Sequence, residues 1–120
     1  MADPKPGAIV HAEISSKDPA ATKKFMEGVF GWKFTKMPEM DYWTFDAGSG
    51  PGGGLMKPMK GMQPGTLNYI LVESVDDTTK KITKHGGKIL MPKQEIPNFG
   101  WFAVFEVPGG VVKAIYEAKR

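Results

Sequence analysis

Two residues near the start of the chain could do chemistry together. His11 and Glu13 are separated by one position in Ile9-Val10-His11-Ala12-Glu13-Ile14, so on an extended strand they project from the same face. An imidazole and a carboxylate held side by side can bind a divalent metal or form an acid/base pair, the histidine changing charge near neutral pH. They can also simply line a polar surface, bonded to each other or to backbone. Beyond them the reactive inventory is short. The chain has no Cys, which removes disulfides, thiolate ligands and cysteine nucleophiles together, and its second histidine, His85, stands where it would end a helix.

Aromatic residues are the other candidates for a site. Trp43 and Trp101, with Tyr42, Tyr69, Phe99 and Phe102, are placed to form walls for a flat ligand or to pack in a core. Trp101 follows Ile96-Pro97-Asn98-Phe99-Gly100, a loop able to carry it over the mouth of a cleft. Met37, Met40, Met56, Met59, Met62 and Met91 suit either an adaptable apolar pocket or ordinary gap filling. The glycine-rich run Gly48 to Gly54 lacks the Gly-Lys-Ser/Thr ending of a phosphate loop and does not lead into a helix, so it reads as a mobile loop beside the site.

The elements that position these residues are written twice. A shift of 57 residues lays Ala21-Thr22-Lys23-Lys24-Phe25 on Thr78-Thr79-Lys80-Lys81-Ile82, and Pro51-Gly52-Gly53 on Pro108-Gly109-Gly110. One-residue slips bring Gly31 onto Gly87 and Trp43 onto Trp101. A unit of about 55 residues rarely buries enough apolar surface alone, so the two copies are expected to complete each other and to leave a cleft.

Each copy reads strand, helix, strand, strand, strand. The first has a strand over 8–15 and a helix over about 19–30, begun by Asp18-Pro19 and stopped by Gly31, with Ala21, Phe25 and Val29 as its apolar stripe. Strands over 32–37, 42–47 and 54–59 follow, then a linker over 60–65. The second has a strand over 66–73, a helix over 75–85 capped by Ser74, and strands near 88–91, 101–107 and 111–117.

The 120 residues fit one domain, 1–120, with modules over about 8–60 and 65–118. Net charge is +3, but the lysines are scattered among Glu27, Asp76 and Asp77 and form no run, which argues against a nucleic-acid partner. The first residues carry no apolar signal core, and no later run approaches the roughly 18 apolar residues of a membrane span. The expectation is a cytoplasmic protein with no membrane partner.

Taken in order, the residues resemble a known family. Ile9 to Ile14, Lys17-Asp18-Pro19, Phe25 and Val29-Phe30-Gly31-Trp32-Lys33-Phe34 are similar to the opening of the vicinal oxygen chelate superfamily, which includes glyoxalase I, bleomycin-resistance proteins and extradiol dioxygenases. Gly86 to Lys93, Gly100 to Phe105 and the Pro108-Gly109-Gly110 turn continue the resemblance in the second copy. It implies an α+β fold in which two βαβββ modules pair into a curved mixed sheet, a half-barrel with an internal cleft, within a homodimer.

In enzymes of that family four side chains in the cleft hold a divalent metal that binds two neighbouring oxygens of the substrate. Carried onto this chain, the first ligand position falls on His11. The second falls among Leu55, Met56 and Lys57, the third at Leu67 or Asn68, and the fourth at Ala114, with Glu117 on the opposite face of that strand. His11 is therefore the one residue expected to bind a metal, with Glu13 as a weak second, and a single histidine does not hold an ion tightly.

The expected function is binding of a small organic molecule in a cleft lined by His11, Glu13, Trp43, Met56, Asn68 and Trp101, with no tightly held cofactor and no catalytic residue assigned. The alternative is a metal-dependent lyase, isomerase or dioxygenase of the same superfamily.

Overall fold

The computed structural model describes residues 3–120. Among them the order is β1 (Ile9–Ser15), α1 (Pro19–Phe30), β2 (Lys33–Lys36), β3 (Trp43–Asp46), β4 (Gly53–Met56), β5 (Gly65–Leu71), α2 (Val75–Lys84), β6 (Lys88–Ile96), β7 (Gly100–Glu106) and β8 (Val112–Ala118). Both copies thus run βαβββ, and no helix among the described residues is long and apolar enough to cross a membrane. The chain divides into two compact units, Val10–Leu67 and Asn68–Arg120, the second also taking in the described residues before Val10. Those residues belong there because the Gly7 N–H donates to the Leu71 carbonyl and the Leu71 N–H to the Ala8 carbonyl, both at 2.8 Å.

In the first unit the strand order is β2-β3-β4-β1, with β1 parallel to β4 and the other pairs antiparallel. The second repeats it as β6-β7-β8-β5, with β5 parallel to β8. Parallel pairing at the closing strand is what the crossover through a helix permits.

Local chemistry sets the helix ends. Asp18 accepts the Ala21 N–H at 3.1 Å and Ser74 accepts the Asp77 N–H at 3.0 Å, each satisfying a first-turn donor. Gly31 ends α1 in the left-handed region at φ 71°, its N–H donating to the Glu27 carbonyl. His85 is the C-terminal cap of α2.

The apolar stripe expected of α1 is corrected by the structure. Phe25 and Val29 are 60% and 58% exposed, while Pro19 is buried and Thr22 and Met26 are half-buried, so the sheet-facing side is rotated away from the stripe. Pro19, Thr22 and Met26 share the helical spacing too, and a repeat at that spacing fixes the helix without fixing which side packs.

The first unit's core is Leu55, fully buried, and Phe45, against which Trp32 stacks at 4.4 Å between ring centroids. The second unit's core joins Val75, Ala103, Phe105 and Ile115, with Ile70, Val72, Ile82, Ile89, Trp101 and Val107 packed around them. Burying Leu55 or Val75 completely stabilises by about 1.5–3 kcal/mol each.

Strand β6 runs past the expected stop near Met91 to Ile96. It lies at the free edge of its unit's order, where register shifts between Ile89 and Gln94 accommodate Pro92 without a ladder hydrogen bond. The segment expected to carry Trp101 over a cleft is instead a tight hairpin turn, with Ile96 paired to Gly100 and Asn98 at φ 73°. At the other hairpin, β4 begins at Gly53, so Gly53 and Gly54 are buried strand residues rather than loop.

Candidate functional site

Register decides which side chains meet. In the parallel β1–β4 pair Glu13 lies opposite Gly54 and Ile14 opposite Leu55, while β3 sets Trp43 opposite Leu55 and Thr44 opposite Gly54. One face of the first unit therefore carries Ile14, Trp43, Phe45 and Leu55. The other carries His11, Glu13, Thr44, Gly54 and Met56.

Over Gly54 on this second face lies the side chain of Tyr42, the residue just before β3. A Cβ at Gly54 would overlap the phenol oxygen, so glycine is what lets the ring lie against β4. Tyr42 Oη donates to Glu13 Oε2 at 3.1 Å and lies 3.1 Å from His11 Nε2. A phenol has one proton; with that proton committed to Glu13, the contact to His11 requires Nε2–H to donate to Oη. The two bonds thus fix the imidazole tautomer.

His11 Nε2 and Glu13 Oε2 are 3.9 Å apart, a distance that suits an ion pair only if the imidazole is protonated. Burial lowers the His11 pKa below its ordinary value, and the Glu13 charge offsets this only in part. The imidazole is neutral at pH 7, so the hydrogen-bonded chain His11–Tyr42–Glu13 describes the site better than a salt bridge does. Burial first, then the Glu13 charge and hydrogen bond, raise the Tyr42 pKa well above the usual phenol range, so the hydroxyl stays protonated.

The structure brings together His11, Glu13 and Met56 of the expected residues and adds Tyr42 as the link. The sequence offers Tyr42 as an aromatic wall or a core residue; the signal for its hydroxyl is a glycine inside a strand, which marks a close approach. Trp43 points to the opposite face, toward Leu55, with Lys36 Nζ 5.7 Å from its ring centroid. Trp101, in the second unit, packs on the helix-covered core, with Lys93 Nζ 5.2 Å from its ring centroid. The two lysine–tryptophan pairs are equivalent places in the repeat. Asn68 alternates with Ile70 and Val72 and so takes the helix-covered face as well.

On the other face of the second unit Tyr69 lies opposite Ala114, both buried, and Tyr69 is 6.2 Å from Phe102 between ring centroids. Glu117 is on the helix side, where its Oε1 accepts the Val75 N–H at 2.8 Å. Its carboxylate caps α2.

The family resemblance seen in the sequence implies a divalent metal in some members, and the donors here can be tested against one. His11 and Glu13 supply one imidazole and one carboxylate, and on β4 Gly54, opposite Glu13, and Met56, opposite Ser15, supply no oxygen or nitrogen side chain. Among the described residues no three His, Cys, Asp or Glu side chains cluster as a metal site would need. These residues do not fit a tightly held ion.

A model of the Glyoxalase/Bleomycin resistance protein/Dioxygenase superfamily matches residues 8–114. "Putative glyoxylase CFP32" of Mycobacterium tuberculosis is 27% identical over 116 residues, covering 90% of this chain and 44% of that protein. "Anthracycline biosynthesis protein DnrV" of Streptomyces peucetius is 26% identical over 133 residues, covering 92% and 47%. The chain therefore spans less than half the length of these curated relatives. Among solved structures, methylmalonyl-CoA epimerase from Mycobacterium tuberculosis superimposes with a TM-score of 0.75 at 15% identity, covering all of this chain and 94% of that one. The fold is glyoxalase-like, and the chain belongs to the Glyoxalase/Bleomycin resistance protein/Dioxygenase superfamily.

Proposed function

We propose that this protein binds a small organic molecule on the face that carries His11, Glu13, Tyr42 and Met56, without a tightly held metal. The observation that carries the reading is the phenol between the imidazole and the carboxylate: the polar groups at the centre of the face are bonded to one another by a chain that a ligand can join or interrupt. Few converging polar groups beside an apolar side chain are what a small-molecule site requires. The relatives' names, a glyoxylase and an anthracycline biosynthesis protein, also refer to small molecules.

A homodimer in the cytoplasm completes the reading. The absence of Cys suits a reducing compartment. Phe25, Val29 and Phe30 on α1 are each more than half exposed, an apolar patch that self-association would cover.

Titration of a fragment library in the presence of a chelator, followed by backbone amide shifts, tests the reading. Shifts at Glu13, Gly54 and Tyr42 that vanish in the His11→Ala variant are expected. Binding that appears only after metal is added would contradict it.

A further inference from the structure

The atom that His11 and Glu13 both address does not belong to their strand. Tyr42 stands at the end of the turn between β2 and β3, a turn in which Glu39 adopts φ 61°, and its ring reaches over Gly54 to place Oη between the two side chains. A hydroxyl has one proton to give and lone pairs to receive. Here a carboxylate accepts that proton while an imidazole N–H donates to the oxygen, so both capacities are met at once. The bare backbone of Gly54 beneath leaves room for a flat ring.

Resting on the reading above, we propose that His11 and Glu13 form a hydroxyl-recognition subsite, that Tyr42 is its internal occupant, and that the ligand class is hydroxylated aromatics whose phenolic group takes the place of Tyr42. A phenol entering the subsite re-forms both hydrogen bonds that Tyr42 gives up, so His11 and Glu13 keep their partner while the displaced Tyr42 hydroxyl turns to water. The competition is between a tethered phenol and a free one. Tyr42, held within reach by the chain, keeps the empty subsite a minor state, and apparent affinity falls in proportion to that state's population.

The test titrates wild type, Tyr42→Phe and Glu13→Leu with phenol and with toluene, following the Gly54 amide. Tyr42→Phe keeps the ring but removes the competing hydroxyl, so phenol binds it about tenfold more tightly than wild type, while toluene shows no gain. Glu13→Leu loses the preference for phenol over toluene; should that variant fail to fold, Glu13→Gln serves with a smaller loss expected.

Phenol binding that is equal or weaker in Tyr42→Phe would overturn the proposal and show Tyr42 to be a ligand contact, leaving the small-molecule reading intact. Phenol bound by neither protein would also overturn it. The wider reading falls with it only if the fragment titration fails too.

Discussion

The hydroxyl of Tyr42 occupies the space that a side chain at Gly54 would need. Gly54→Ala therefore displaces the ring and separates His11 from Glu13's phenol link. A loss of about 1–3 kcal/mol is expected from urea unfolding, in line with overpacking at a tight site. In a Tyr42→Ala background the same change should cost much less, because the groups that collide are in contact and their effects are coupled. Equal costs in both backgrounds would contradict the packing described.

Stability should depend on pH through His11. Its folded pKa lies below the ordinary 6.5, so as pH falls through that value the unfolded chain takes up the proton first and folding is disfavoured. The contribution is fully present above pH 6.5 and is lost progressively below it, down to the folded pKa. Thermal unfolding at a series of pH values should show a steeper fall between about pH 7 and pH 5 for wild type than for His11→Asn. An equal or shallower fall in wild type would be the contrary result.

Glu117 is a cap, not a ligand. Its carboxylate receives the Val75 N–H at the start of α2, so Glu117→Ala should cost about 0.5–2 kcal/mol in denaturant unfolding. Glu117→Gln, which still offers an oxygen acceptor, should cost less. No loss in either variant would contradict the assignment.

The exposed apolar patch on α1 predicts self-association. Phe25→Lys together with Val29→Lys should shift sedimentation from dimer to monomer while the monomer keeps its folded circular-dichroism spectrum, the apparent stability falling only by what association contributed. A monomeric wild type would contradict the dimer.

Much of this was legible in the sequence wherever the governing chemistry is local. Asp18, Ser74 and Gly31 act on donors within a few residues, and the two helices begin where those residues say. The 57-residue repeat showed the βαβββ order twice because turn residues recur with it. His11 and Glu13 were legible as a pair because alternation along one strand needs no partner.

What depended on register was not legible. The bonds from Tyr42 to His11 and Glu13 span 31 and 29 positions and exist only because β1 sets Glu13 opposite Gly54. Trp43 and Trp101 have side-chain types that suit a ligand wall equally with a core, and only the strand pairing puts them on the faces of Leu55 and of the α2 cluster. The packed side of α1 was hidden for the same reason: two overlapping stripes had helical spacing, and the sheet chose the less apolar one.

Calorimetric titration of the metal-free protein with manganese, zinc and nickel tests the central claim most directly. The structure predicts dissociation constants no tighter than about 0.1 mM, since one imidazole and one carboxylate already joined through a phenol must hold the ion. Binding of any of these ions tighter by tenfold or more, and lost in His11→Ala, would contradict it.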